Sequence, residues 1–186
     1  MLDMHSPSVA ERLFAARDEH RPGLNAALVK DAWNLYHRAR HRGQLARFWA
    51  ALTRRSNCLH ELATFAAGRT PGGGHYAGTR AVPIDEIRGS EGRYADFDRR
   101  FNPLGDHSSQ RWVGLAMAHL QGVVLPPVVL VQVGDIYFVQ DGHHRISVAR
   151  AMGQKYVEAV VTVWRVSSRV LAEQPVASGE LAPAEG

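Results

Sequence analysis

One cysteine, Cys58, stands in 186 residues. No internal disulfide can form, and no cysteine-based metal framework can be built. That usage suits a reducing compartment, so a cytoplasmic location is expected. Lysine is scarce as well: of 22 basic residues only Lys30 and Lys155 are lysines. Long apolar runs are missing. The longest, Val123 to Val133, is interrupted by Pro126, Pro127 and Gln132, and a bilayer needs about 20 apolar residues. The start, Met1 to Pro7, lacks the charged-then-apolar pattern of a signal peptide. No membrane partner is expected. No internal repeat, zinc finger, RNA-binding aromatic signature or basic zipper is visible.

What is present fills one main domain with an appendage. The chain is 45% hydrophobic, with 22 basic and 18 acidic residues and a net charge of +4. Residues 1–68 carry ten Lys/Arg against six Asp/Glu, whereas residues 69–186 carry twelve of each. The positive excess therefore belongs to the first third. Within it, Arg38, Arg40, Arg42, Arg47, Arg54 and Arg55 fall where no acidic residue stands between Asp31 and Glu61. Six arginines without a counter-charge exceed what solubility needs, and they point to an anionic partner, DNA first.

Apolar spacing predicts helices over residues 9–20 and 24–40, a third around Leu45, Phe48, Trp49 and Leu52, and a fourth carrying Leu59, Leu62 and Phe65. Gly43 is expected to break the second from the third. The domain plan is a basic helical unit over 1–67, a Gly/Pro linker over 68–80, a mixed domain over 81–164 and a largely disordered tail over 165–186. In the mixed domain, residues 81–87 read as a short strand and 88–107 as a long polar loop. Ser108 caps a helix that Gly122 closes. Leu125–Val133 and Ile136–Val139 form a hairpin across Gly134-Asp135, and a last strand runs from Tyr156 to Trp164.

The stretch from Val139 to Gly153 carries the chemistry. A strand stops at Asp141-Gly142, and a helix with Ile146, Val148, Ala149 and Met152 on its apolar side follows. Asp141, His143, His144 and Arg145 crowd the helix start; the plainer alternative makes Asp141 only an N-cap and the histidines only surface residues. Helix N-termini carry partial positive charge and unmet N–H groups, and Arg145 adds a fork of donors. Together these make a phosphate site.

At this point a family resemblance appears. Residues 81–164 resemble the ParB/sulfiredoxin superfamily, often labelled ParB-like nuclease. The resemblance rests on Val82-Pro-Ile-Asp-Glu-Ile87, on Leu125-Pro-Pro-Val-Val-Leu130, and on Asp141-Gly-His-His-Arg145 with Ala149 and Gly153 following. Partition proteins of the superfamily read Gly-Glu-Arg-Arg at the turn, sulfiredoxins Gly-Cys-His-Arg, and free-serine kinases a related Asp-Gly-x-His-Arg. The resemblance implies an α+β fold: a small mixed sheet with helices, preceded here by the helical unit.

It further implies a nucleotide (ATP, ADP or CTP) whose phosphates lie on Gly142, His143, His144 and Arg145. His143 stands where sulfiredoxins have their cysteine, which excludes sulfinic acid repair. By comparison with the kinases, Asp141 would hold Mg²⁺ and Glu91 would be a catalytic base. The expected function is a nucleotide-binding regulator or DNA-associated protein. A small Mg²⁺-dependent phosphotransferase and a nuclease are the alternatives, and a homodimer stays open.

Overall fold

In the computed structural model, residues 22–54, 56–66, 69–92 and 95–168 are described. In chain order they form α1 (Pro22–Thr53), β1 (His60–Glu61), α2 (Leu62–Ala66), β2 (Arg69–Pro83), a 3₁₀ turn (Ile84–Glu86), β3 (Ile87–Ser90), α3 (Ser109–Leu120), β4 (Val128–Val133), β5 (Ile136–Asp141), α4 (His143–Ala151) and β6 (Tyr156–Ser168). The six strands make one mixed sheet in the order β1-β3-β5-β4-β6-β2. β1, β3 and β5 run parallel, β4 returns antiparallel to β5, and β6 lies parallel to β4. The expected α+β class holds, and so does the hairpin, which turns at Gly134-Asp135 between β4 and β5.

Both faces of the central strands are covered, because successive side chains of a strand point to opposite sides. Val128 and Leu130 of β4, with Tyr137 and Val139 of β5, enter a core that includes Ile146 and Ala149 of α4 and Phe97 and Phe101 of the long loop. Val131, Val133 and Phe138 point the other way, to Leu62 and Phe65. A third cluster joins α1, α3 and α4 through Ala32, Tyr36, Trp112, Ala116 and Val148. There the Trp112 indole N–H donates to Ser147 Oγ at 2.8 Å, a buried bond between α3 and α4. Both helices end as expected. Gly122 and Gly153 have positive φ, and the paired bonds Val123 N–H to Ala118 O and Gln154 N–H to Ala149 O close each C-terminus.

Several expectations meet a different structure. Gly43 does not break a helix; α1 runs through it for 32 residues. A Cβ there would lie 3.0 Å from Pro103 O and 3.1 Å from Asn102 Cβ. The glycine answers a close approach of the loop, not a helix end. The expected linker is β2, paired along its length with β6. Its Pro71-Gly-Gly-Gly74 stretch falls at a register shift in that pairing, and irregular pairing is where a strand tolerates such residues. The strand expected at 81–87 is divided by the 3₁₀ turn. Leu125 to Pro127 precede β4, and β6 continues four residues past Trp164.

The helical unit is not set apart. Tyr36 of α1 meets the Trp112 ring edge-on at 5.4 Å, and its hydroxyl donates to Gly105 O and Asp106 Oδ1. Burial first, and then Asp106, push that hydroxyl's pKa up to about 12. The long polar loop folds around Asp98, which is wholly buried. Its carboxylate accepts from the N–H groups of Arg100 and Asn102 and from Asn102 Nδ2. The helix expected at 9–20, Arg55, Arg93 and residues 169–186 of the tail lie outside the described residues.

Candidate functional site

The Asp141–Arg145 turn sits where β5 ends and α4 begins. β3 is the parallel neighbour of β5, so both strands present carboxyl ends on this side. In open α/β sheets that is where ligands gather. Gly142, not Asp141, is the N-cap of α4. Its φ of +99° is open to glycine and costly for other residues. A Cβ would also lie 2.6 Å from Val128 Cγ1. No side chain caps the helix, and its first turn holds no acidic residue.

The two histidine side chains of the turn face inward. His143 is 5% exposed and His144 7%. His143 Nε2 lies 2.7 Å from Ser90 Oγ at the end of β3. The His143 ring stacks on Phe97, and the His144 ring meets the same phenyl edge-on at 5.4 Å. Arg145 spends its fork within the protein. One terminal nitrogen donates to Pro126 O at 2.7 Å and Pro127 O at 2.6 Å. The other reaches Asp141 Oδ2 at 2.5 Å. The Asp141 side chain is 73% exposed. The turn is therefore held by a latch between an open carboxylate and a largely buried guanidinium.

Glu91 follows β3 and is exposed. Its N–H donates to Val139 O at 2.8 Å, two residues before Asp141. The two candidate acids thus lie at the same end of the β3–β5 pair. Among the described residues, no three His, Cys, Asp or Glu side chains gather as a metal set. Asp141 is a single exposed carboxylate whose Oδ2 is held by Arg145; Mg²⁺ would need phosphate oxygens and water to complete its shell there.

The arginines of α1 lie far along the chain from this turn and are not alike. Arg40 pairs with Asp106 at 2.6 Å, so the long loop supplies the counter-charge that the sequence around Arg40 lacks. Arg38, Arg42, Arg47 and Arg54 are exposed. Sequence reasoning missed Ser90, Phe97 and the Pro126-Pro127 carbonyls. Nothing in the residue types of Ser90 or Phe97 marks them; only the fold brings them to the turn.

No family model matches the chain, and no curated protein matches it. Among solved structures, sulfiredoxin from Arabidopsis thaliana overlaps 45% of this chain and 82% of its own, at 17% identity and a TM-score of 0.34. An overlap that loose carries no functional argument. Among the described residues, no helix is long and apolar enough to cross a membrane.

Proposed function

We propose that the start of α4 holds the phosphate end of a mononucleotide and that the chain is a nucleotide-responsive regulatory protein. The observation that carries this reading is a nine-residue helix that opens on a bare glycine with no side-chain cap and no first-turn acid, at the carboxyl ends of two parallel strands. Such an end attracts anions through its N–H groups and its dipole. Gly142 lets a phosphate come close to the backbone. The imidazoles of His143 and His144, buried against Phe97, brace the first turn from inside. Arg145 is shared: an arriving phosphate competes with Asp141 for the guanidinium. Exposed Cys58 accords with a reducing cytoplasm.

The test is a thermal-shift panel with ATP, ADP, CTP and tripolyphosphate, each with and without Mg²⁺. A shift with at least one nucleotide is expected. Asp141→Asn should enlarge it in the absence of Mg²⁺, because Arg145 is then released. No shift with any of them at millimolar concentration would overturn the reading.

A second reading is a small Mg²⁺-dependent phosphotransferase. Glu91 and Asp141 at one end of the β3–β5 pair favour it. Asp141 would hold the ion beside the phosphates, and Glu91 would take a proton from a hydroxyl substrate. Nucleotide turnover with small hydroxyl compounds, abolished by Glu91→Gln, would establish it. Asp141→Asn would then weaken Mg²⁺-dependent binding instead of strengthening binding. No observation favours the nuclease reading.

A further inference from the structure

The second half of α1 is the least covered part of the described chain. Every residue from Gln44 to Arg54 is exposed or half-exposed. Positions 38, 41, 42, 45, 48, 49 and 52 recur three and four apart, so they share one face of the helix. All seven are exposed. Arg38, His41 and Arg42 make the first part of that face cationic. Leu45, Phe48, Trp49 and Leu52 make the rest apolar, and they are 46%, 63%, 58% and 64% exposed. The opposite side of the same helix, with Ala32, Tyr36 and Ala39, is the side packed into the core. Four large apolar side chains in a row mark an interaction surface.

We infer that this face binds single-stranded nucleic acid, with phosphates on Arg38 and Arg42 and bases stacked on Phe48 and Trp49. Charge selects an anion, because no Asp or Glu stands between Asp31 and Glu61. The cations are about one turn apart along the axis, near 6 Å, and the aromatic pair continues the same line. The Phe48 and Trp49 planes are 74° apart, with centroids 6.1 Å apart. The rings are not stacked on each other, so each keeps face area for a base. Guanidinium groups followed by exposed aromatics are the parts that hold single strands. A duplex would meet the arginines but leave the rings in water, since its bases are already stacked.

The same layout disfavours two other occupants. An interfacial membrane helix keeps its basic residues on the side opposite its apolar one. Here Arg38, His41 and Arg42 lie in line with the apolar residues and would be pressed into hydrocarbon. A second copy of the chain would bring like charges together. Four half-exposed side chains also fall short of the roughly 800 Å² per partner that a stable dimer needs.

The inference does not rest on the phosphate site of α4. Full-length protein is titrated with a fluorescein-labelled twenty-residue oligothymidine, a duplex of equal length, and phosphatidylcholine vesicles with and without phosphatidylserine. The single strand should bind best. Phe48→Ala with Trp49→Ala should weaken it ten-fold or more at unchanged salt slope. Arg38→Gln with Arg42→Gln should lower the slope by about 0.7 per cation removed. Circular dichroism and the nucleotide-dependent thermal shift should not change in the aromatic variant, which separates this test from that of the α4 site. Equal duplex binding, binding to anionic vesicles alone, dimerisation lost in the aromatic variant, or no binding to any probe would each overturn the inference.

Discussion

The turn at the start of α4 and the outer face of α1 have similar ingredients and opposite fates. Each combines arginine, histidine and aromatic contacts. At the turn the histidines are buried, and the Arg145 fork is met by two carbonyls and a carboxylate. On α1 the same residue types stand in solvent. Charge and hydrogen-bonding capacity therefore do not mark a binding surface by themselves. At the turn much of that capacity secures the local backbone, and the proposed phosphate would have to displace Asp141 from Arg145. On α1 it is open to whatever arrives.

The sharpest way to break this contrast is Gly142→Ala. A methyl there meets Val128 at 2.6 Å in a left-handed conformation, and strain with overpacking should cost about 3 kcal/mol or more. Urea unfolding measures it, and a cost below about 1 kcal/mol would mean that the turn is slack. Next comes Arg145→Ala. It strips the donors from the Pro126 and Pro127 carbonyls and should cost about 2 kcal/mol. Arg42→Ala on the exposed face should stay within about 0.5 kcal/mol. Equal costs for the two arginines would erase the distinction between the regions.

An effect between those of the two arginines is expected at the inner side of α1. Tyr36→Phe loses the bonds to Gly105 and Asp106, about 1 kcal/mol at neutral pH. The hydroxyl pKa is raised in the folded chain, to about 12, from about 10 when unfolded. Its stabilising contribution is therefore complete below pH 10 and falls as pH rises toward 12. The variant should show a smaller alkaline loss of stability over that interval. An unchanged pH profile would mean that Tyr36 does not titrate with folding.

Much of this was legible from local pattern. The hairpin at Gly134-Asp135, the helix that Gly153 closes and the one that Gly122 closes all declare themselves through periodicity and turn residues. Gly43 and the 71–74 glycines were misread for one reason. A glycine needed for close approach or irregular pairing looks the same in sequence as one that ends an element. Arg40 was misread because its counter-charge, Asp106, lies 66 positions away.

Local sequence by itself settled the element types of the second half, because backbone preference acts within a few residues, but not that α4 starts on Gly142 instead of Asp141. It also set the run of arginines with no acid nearby. Only the tertiary structure decided which of those charges remain in water. Burial and pairing depend on what other segments bring: Ser90 and Phe97 to the histidines, Pro126 and Pro127 to Arg145, Asp106 to Arg40, and, among the described residues, no cover that closes over Phe48 and Trp49. Solvation is a property of the assembled surface, so no window of sequence contains it.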